Sequence, residues 1–469
     1  MLVVFVISAL LNYSYNIAMG WLLLPDQYGI LGVAISLLSI LSLFVTSAFP
    51  FTVAKFLSED NENSVKQRVF KSSLAGNLII ALLISFIFYA LYGLRIIHLD
   101  GSYSPFVLLI IVGLVFSSIG GVYASALQGM FRFKKFGFVG IVSTLAKLIF
   151  AILLVSLGFG AMGAFSGIIF GTIAGLILAV IFSSDFKYWK TQGWADKKIY
   201  SFAVPMFFGT FFMTLLMNLD ILGVKFLSES ILSDTLTGYY RSALILAELP
   251  VFAVGALLGT MFPYISKYSS DNNNYSNKTL KYAVLIICPV SIALFAIPSS
   301  IIALVFPPSY AAAADALGLL SLGMGLFVVI TALSGIFQAM HRPRVPAIIL
   351  MLSIVVDIIA LIFLVPKYGI IGAAASTTIA CIIGFLGLAG AYLKYEFIKF
   401  DLKNVLKILI SYILFGTFVF ILPHDTKLMT LVDLSVSSIM YLLVLFFLKL
   451  LNEGDIKMIM SGFKVSIKN

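Results

Sequence analysis

Charged residues are scarce in this sequence of 469 residues: Asp, Glu, Lys and Arg make up 11% of it, against 61% hydrophobic residues, and the mean hydropathy is +1.11. A soluble domain carries about 25% charged residues, so this chain lacks the polar groups that would cover its surface in water. A helix that crosses a bilayer needs roughly 20 apolar residues. The composition therefore excludes a soluble protein and predicts an all-α polytopic membrane protein.

Cysteine is almost absent, with two residues in the whole chain. Cys288 and Cys381 both lie within apolar runs and have no metal-ligand or redox spacing, so we interpret them as packing residues. The Gly-rich lysine loop that binds ATP phosphates is also missing. We therefore expect no metal site and no cofactor, and we expect energy to come from an ion gradient, the membrane potential or downstream consumption of the product.

Fourteen apolar segments are long enough to cross a bilayer, and each is predicted to be a transmembrane helix. These predicted spans, numbered 1 to 14, cover residues 1–23, 31–54, 70–93, 105–128, 137–158, 161–183, 200–225, 240–264, 282–305, 313–339, 345–365, 370–392, 404–422 and 428–448. Span 1 has no small-residue cleavage site, so we expect it to stay as a helix. The longest connections, near 184–199 and 265–281, are too short and lack the acidic clusters that a membrane-embedded glycosyltransferase or ligase needs. We therefore expect no enzyme.

The formal net charge of +10 is distributed unevenly between the connections. Of the 30 Lys and Arg residues, 23 follow even-numbered spans or lie in the C-terminal tail, and five lie in the alternate connections. Because cytoplasmic loops carry the excess of Lys and Arg, both termini are predicted in the cytoplasm. The positive charge is interpreted as a topology signal and an attraction to anionic lipid, not as a nucleic-acid surface. Arg132 and Arg342, at the ends of spans 4 and 10, fit the same interpretation, with recruitment of a diphosphate headgroup as the alternative.

The two halves of the chain share an internal repeat at an offset of 210 residues or one fewer. Gln128–Lys134 matches Gln338–Arg344, and Gly160–Ala164 matches Gly369–Ala373. A third and weaker match, outside this offset, sets Phe49-Pro50-Phe51 with Lys55 beside Phe262-Pro263-Tyr264 with Lys267. Small residues then recur at every fourth position, where Gly163, Gly167, Gly171 and Gly175 match Gly372, Ser376, Ala380 and Gly384. A face of small residues lets a neighbouring helix approach closely, so the same helix contact is predicted in both halves.

Each repeat contains six spans, so the two halves keep the same orientation and are related by a pseudo-two-fold axis along the membrane normal. We predict a six-helix lobe at residues 1–183, a cytoplasmic linker at 184–199, a second six-helix lobe at 200–395, and two additional helices with a cytoplasmic tail at 396–469. A cavity is expected between the two lobes.

Several motifs resemble signatures of one transporter family. They are Leu22–Gly29, Phe49–Ser58, Gln128–Arg132, Thr237–Tyr240 and Leu246–Pro250, in this order along the chain. Over spans 1–12 the sequence resembles the polysaccharide-biosynthesis flippases of the multidrug/oligosaccharidyl-lipid/polysaccharide exporter superfamily. The resemblance implies transfer of a polyprenyl-(pyro)phosphate-linked oligosaccharide across the cytoplasmic membrane by alternating access, with a glycan polymerase or ligase as a partner.

An ion-coupled multidrug or organic cation antiporter of the same superfamily is the alternative function. Such an antiporter is expected to place an acidic residue early in its N-terminal lobe. Span 1 contains no acid, so the sequence favours the flippase.

Span 8 carries the first candidate for binding a substrate phosphate. Arg241 offers forked donors to phosphate oxygens, and Lys225 of span 7 is expected to assist it. Glu248 lies seven residues after Arg241 and therefore shares its helix face. Pro250 predicts a bend beside Glu248. The alternative is that Arg241 extends to the membrane interface or pairs with Glu248.

Ionisable residues within the spans are candidates for ion coupling, because a charge in lipid is costly unless it faces protein or water. Asp220 and Glu248 are candidates to bind a proton or share a sodium ion, the alternative for Asp220 being a fixed pair with Lys225 or Arg241. Lys147 and Asp357 occupy equivalent positions in the two repeats with opposite charge. Each is expected to face protein or water within its own lobe.

Polar side chains in three spans are candidates to contact the sugar headgroup. They are Asn12 and Asn16 in span 1, Ser36, Ser39 and Ser42 in span 2, and Asn218 in span 7. The serines form a stripe that ends at Thr46, and both asparagines share one helix face with tyrosines nearby. The alternative for the stripe and for the span 1 asparagines is packing between helices.

Overall fold

A computed structural model of the chain describes residues 2–59, 62–97, 99–184, 193–194, 207, 211–229, 231–251, 274–340, 342, 344–395, 402–424 and 426–450. Secondary structure in these residues is helical, as predicted. The helices are α1 (Leu2–Leu22), α2 (Pro25–Thr46), α3 (Phe49–Ser58), α4 (Asn63–Gly93), α5 (Ser104–Gly129), α6 (Phe133–Leu154), α7 (Gly160–Phe182), α8 (Leu219–Leu227), α9 (Ser233–Ala247), α10 (Asn274–Ala296), α11 (Pro298–Val305), α12 (Ala314–Ala339), α13 (Arg344–Lys394), α14 (Leu402–Ile421) and α15 (Lys427–Phe447).

Seven helical stretches in the described part of the chain are long and apolar enough to cross a membrane, or eight if α10 and α11 form one bent span. The chain is therefore a multi-pass membrane protein. Predicted spans 7 and 8 run into residues outside the described ones, so the number 14 stays a prediction.

Two of these stretches fold back on themselves at glycines with positive φ. Between α6 and α7 a π-helical turn contains Gly158 at φ 92°, and Gly160 follows at φ 52°. Within α13 the break lies at Gly369, at φ 57°. Glycine adopts this conformation without the steric cost that a Cβ brings. Each stretch therefore contains two helices, in agreement with predicted spans 5 and 6 and predicted spans 11 and 12.

The two hairpins are closed by the same contact between small residues. A Cβ on Gly175 would lie 3.1 Å from Ser143 Oγ, and a Cβ on Gly384 would lie 3.0 Å from Ser353 Oγ. These residues are equivalent in the internal repeat. The stripe of small residues therefore makes the close helix contact that the sequence predicts in both halves.

Proline marks the start of several helices. Pro25, Pro50 and Pro298 each occupy the first turn of their helix, where the missing N–H removes no intrahelical hydrogen bond. Predicted span 2 consequently starts at Pro25 rather than at 31 and is broken before α3. Predicted span 9 bends by 94° between α10 and α11.

The chain divides into two compact units, Val3–Leu222 and Gly223–Asn469. The first contains α1 to α7, with a buried cluster that includes Val53, Phe70 and Val122. The second contains α9 to α15, with a buried cluster that includes Ile287 and Val328. The predicted linker at 184–199 lies mostly outside the described residues, so the predicted lobe limits remain a proposal.

Asn77 joins three helices at the break between α2 and α3. Its Nδ2 donates to the carbonyl oxygens of Val45 and Ser118, both at 2.8 Å, and the side chain is fully buried. Val45 lies in the last turn of α2, where carbonyl groups have no intrahelical partner. Asn77 therefore stabilises the broken end of α2 against α4 and α5.

Replacing Asn77 by alanine is expected to lower the free energy of unfolding by about 1–2 kcal/mol, because the buried Val45 carbonyl loses its donor. Ser73, one turn earlier on α4, is a matched control, since its buried hydroxyl makes no hydrogen bond among the described residues. Thermal unfolding in nanodiscs would compare Asn77→Ala with Ser73→Ala. Equal stability of the two variants would contradict this role of Asn77.

Candidate functional site

Lys147 lies inside the N-terminal unit and contacts α1. Its Nζ donates a hydrogen bond to Asn12 Oδ1 and lies 4.2 Å from the centroid of the Tyr15 ring. Tyr15 is 1% exposed, and its hydroxyl donates to the carbonyl of Ala164 at 3.0 Å. Lys147 therefore faces protein within its own unit, as predicted, and the cluster joins α1, α6 and α7.

The backbone of α1 around Asn12 accepts two side-chain hydrogen bonds, one from α1 itself and one from α2. Asn16 Nδ2 donates to the Asn12 carbonyl at 3.0 Å, and the Tyr28 hydroxyl donates to the Asn16 carbonyl at 3.2 Å. Asn12 and Asn16 share one face, as their spacing predicts, but their side chains have different partners. Asn12 binds the ammonium group, whereas Asn16 bonds back to its own helix.

The neighbours of Lys147, which are Asn12 and Tyr15, favour a positive charge at this position in a membrane. An aromatic face attracts a cation and an amide oxygen accepts one of its hydrogen bonds, which together lower the cost of placing the charge there.

The serine stripe of α2 bonds mainly to its own helix. Ser42 Oγ donates to the Ser39 carbonyl and Thr46 Oγ1 donates to the Ser42 carbonyl, both at 2.9 Å. Ser36 is fully buried, and its hydroxyl makes no hydrogen bond among the described residues. Asn218 likewise bonds back, from Nδ2 to the Thr214 carbonyl at 2.8 Å. Among these candidates Ser39 and Ser42 are half-buried, whereas Ser36 is enclosed.

Four phenylalanine rings lie together near the end of the serine stripe, and no sequence pattern indicated them. The Phe44 and Phe207 ring centroids are 5.0 Å apart, and Phe211 lies 5.1 Å from Phe207 and 5.5 Å from Phe212. All four are half-buried. Phenylalanine is abundant in the apolar spans, so the sequence does not distinguish these four residues from lipid-facing ones.

Lys225 forms an ion pair that the sequence patterns did not indicate. Its Nζ lies 2.8 Å from Asp234 Oδ1 and 3.1 Å from Ser233 Oγ. The lysine side chain is 4% exposed, so this pair ties the end of α8 to the start of α9. The charge of Lys225 is thereby engaged with a carboxylate.

Arg241 lies in α9 between two buried residues, Tyr240 and Ser242, and is itself half-buried. The helix ends at Ala247 and Glu248 is its C-cap, with helical backbone resuming at 249–251. The interruption lies beside Pro250. The helix is therefore interrupted at the position where the sequence predicts a bend, the bend itself stays a prediction, and Glu248 is half-buried.

Asp220 and Asp357 are fully buried carboxylates. Asp220 Oδ1 accepts a hydrogen bond from the backbone N–H of Ile221 at 2.8 Å. Asp357 lies in α13, one turn before Leu361, whose Cδ2 would be 3.0 Å from a Cβ on Gly223. Buried carboxylates in transmembrane helices are costly and are usually functional. No group of three or more His, Cys, Asp or Glu side chains that would hold a metal ion occurs in the described residues.

The paired arginines of the repeat hold helix ends. Arg132 Nη1 donates to the Phe182 carbonyl at the end of α7, at 3.0 Å. The guanidinium carbon of Arg342 lies 4.2 Å from the centroid of the Tyr395 ring, and Tyr395 directly follows α13. Both arginines therefore attach the end of one helix of their repeat to another. This structural role had no signal in the sequence beyond the repeat itself.

The sequence matches the family described as polysaccharide biosynthesis protein over residues 18–315. An uncharacterized membrane protein of Methanocaldococcus jannaschii, MJ1068, is 29% identical over 223 residues, which are 45% of this chain and 42% of that protein. The probable low-salt glycan biosynthesis flippase Agl15 of Haloferax volcanii is 23% identical over 194 residues, 40% of each chain. The chain thus matches about two fifths of the length of these two relatives.

Two solved structures are similar to the fold. The lipid II flippase MurJ in an inward closed conformation has a TM-score of 0.75 at 19% identity, covering 95% of this chain and 98% of that chain. An inward-facing multidrug resistance transporter of the MATE family has a TM-score of 0.62 at 15% identity, covering 84% of this chain and 96% of that chain. The chain therefore has the fold of these transporters.

Proposed function

Because this chain belongs to the polysaccharide biosynthesis family of flippases within the multidrug/oligosaccharidyl-lipid/polysaccharide exporter superfamily, we propose that it moves a polyprenyl-(pyro)phosphate-linked oligosaccharide from the inner to the outer leaflet of the cell membrane. The observation that carries the proposal is the family match, which includes Lys147, Lys225 and Arg241 within residues 18–315. The relative named as a glycan biosynthesis flippase supports the same substrate class.

The substrate has two chemically different parts, and we assign different residues to each. Arg241 binds the phosphate, since a guanidinium group offers two parallel donors to its oxygens. Lys225, which pairs with Asp234, is the second candidate to contact the phosphate. The sugar headgroup contacts the half-buried polar residues of the N-terminal unit, which are Asn12, Asn16, Ser39 and Ser42, with Ser36 and Asn218 as further candidates. The polyprenyl tail stays in lipid.

Transport proceeds by rocking of two six-helix lobes, and the buried ionisable residues couple it to ions. Asp220 and Asp357 are the preferred coupling residues because both carboxylates are fully buried. Glu248, at the end of α9, changes its surroundings if the helix bends there. Lys147 has a different position, against Asn12 and Tyr15, where it contributes a positive charge to the N-terminal unit.

The cellular setting follows from the same proposal. The protein lies in the cytoplasmic membrane with both termini in the cytoplasm, and anionic lipids attract its basic loops. A glycan polymerase or ligase consumes the translocated product on the outer side. The gradient of product, the membrane potential or an ion gradient then supplies the direction of transport.

Ligand-dependent thermal stability in nanodiscs tests the substrate class. A ligand that binds the folded state raises the unfolding temperature. We expect a polyprenyl diphosphate disaccharide to raise it, and we expect neither the matching polyprenol nor tetraphenylphosphonium to do so. With Arg241→Ala the shift should fall to a small fraction, because the phosphate loses its forked donors.

The neutral polyprenol controls for binding of the tail alone. A rise with polyprenol equal to that with the diphosphate would contradict recognition of the phosphate. A rise with tetraphenylphosphonium alone would instead favour the multidrug or organic cation antiporter.

A further inference from the structure

Helix α10 contains a proline at a position where helical hydrogen bonding continues on both sides. Pro289 has no N–H, so the carbonyl of Leu285, four residues earlier, loses its usual helical donor. In a membrane such a carbonyl must find another donor, because water is absent. The Tyr441 hydroxyl of α15 donates to this carbonyl at 2.9 Å, and the bond is buried. One tyrosine thus supplies the hydrogen bond that proline removes.

Neighbouring contacts place both C-terminal helices at the level of this proline. The Tyr412 hydroxyl of α14 donates to the adjacent Val284 carbonyl at 3.1 Å. A Cβ on Gly416 would lie 3.2 Å from Ile292 Cγ2, so α14 approaches α10 closely one turn beyond. The Phe415 ring packs edge-on against the Tyr441 ring at 5.4 Å between centroids. The packing of its ring therefore holds Tyr441 in place independently of its hydroxyl group.

Helix α12 also packs against α10. A Cβ on Gly325 would lie 2.8 Å from Ser291 Oγ, and Ile287 belongs to the buried cluster that includes Val328. Just beyond, α10 meets α11 at a bend of 94°. The segment between Pro289 and Pro298 is thus interrupted at both ends, and α14 and α15 cover its first interruption.

We propose that Tyr441 is a positioning residue that supplies the hydrogen bond missing from α10 at Pro289, and that the two C-terminal helices are the scaffold that holds this proline turn while the C-terminal unit moves. Their role therefore differs from that of simple membrane anchors, although they lie outside the six-helix repeats. The proposal concerns the helix itself and does not depend on which substrate is carried. The competing view is that Tyr441 acts only through the packing of its ring.

A double-mutant cycle separates the two views. In Pro289→Ala the new N–H can donate to the Leu285 carbonyl, so the Tyr441 hydroxyl becomes dispensable. We expect Tyr441→Phe to raise hydrogen–deuterium exchange of the α10 amides after residue 289 by about tenfold, the effect of one lost buried hydrogen bond. In the Pro289→Ala background the same substitution should change exchange by less than about twofold, which the cycle isolates as coupling.

Tyr412→Phe is the matched control. It removes a hydroxyl from the carbonyl of Val284, which the helical pattern already pairs with the N–H of Cys288, so a smaller effect is expected. An equal rise after Tyr441→Phe with and without the Pro289→Ala substitution would overturn the proposal, and so would no rise in either background. These exchange measurements need no substrate, so failure of the flippase assignment would leave them interpretable.

Transport then tests whether this hydrogen bond at Pro289 matters for movement. At a temperature where the variants are fully folded, Tyr441→Phe is expected to slow translocation several-fold, whereas Tyr412→Phe stays near the unaltered protein. Unchanged translocation by Tyr441→Phe would overturn the positioning role, even if the hydroxyl were shown to stabilise α10.

Discussion

Replacing Lys147 by methionine is expected to reduce translocation of a lipid-linked oligosaccharide by about 100-fold, because the N-terminal unit loses its positive charge against Asn12 and Tyr15, and truncating one partner of a charge-assisted hydrogen bond costs about 2–5 kcal/mol. Methionine keeps most of the side-chain length, so the packing of α6 against α1 is largely retained. The charge, the bond to Asn12 and the contact with the Tyr15 ring are lost together. Initial translocation rates in proteoliposomes would measure the effect.

Lys407 provides a matched control for this experiment. It is also a lysine within a predicted span, but it lies in α14, outside the predicted six-helix repeats. Lys407→Met is therefore expected to transport nearly as well as the unaltered protein, and Lys147→Arg should retain part of the activity by keeping the charge. Normal transport by Lys147→Met would reduce Lys147 to a structural charge.

Replacing Gly167 by isoleucine is expected to prevent the N-terminal unit from folding. A Cβ at this position would lie 2.6 Å from Ala151 Cβ and 2.7 Å from both the Cα and the N of Ala151. Because the clash involves backbone atoms, α6 and α7 must separate. Overpacking alone costs about 1–3 kcal/mol. The separation also breaks the bond from Ser143 Oγ to the Gly171 carbonyl, which is 2.8 Å long.

The yield of monodisperse protein in size-exclusion chromatography would measure this loss. Gly390 is the control, since it is a helical glycine of α13 with no atom within 4 Å of an added Cβ. Gly390→Ile should therefore give normal yield. If both variants were recovered equally well, the close contact between α6 and α7 would not be needed for folding.

Hydropathy predicted the long described helices because it is a property of the sequence over about 20 residues. The internal repeat then paired helices of the two halves. The hairpin turns at Gly160 and Gly369 fall where the repeat aligns the two halves. The break between α2 and α3 and the bend before α11 were not anticipated. Both accompany proline in a continuous apolar run, where hydropathy stays high while the hydrogen-bond pattern is interrupted.

The sequence predicted which types of residue form the candidate site, but it did not predict which residues contact one another there. Lys147 was identified because a charge in an apolar span is rare, and its orientation into its own unit followed from the cost of lipid exposure. Its partners lie more than 130 residues away, and no periodicity relates them. Asp234 was not identified from the sequence, because it pairs with Lys225 across the connection between α8 and α9.

We propose above all that this protein moves a phosphate-linked glycan lipid between leaflets and that Arg241 binds the phosphate. The most direct test is translocation of a fluorescent polyprenyl diphosphate oligosaccharide in proteoliposomes, comparing the unaltered protein with Arg241→Ala at equal reconstitution. We predict rapid loss of the lipid from the labelled leaflet with the unaltered protein and a slow rate with the variant. Equal rates would contradict the phosphate site, and no translocation by either protein, with exchange of an organic cation instead, would contradict the function.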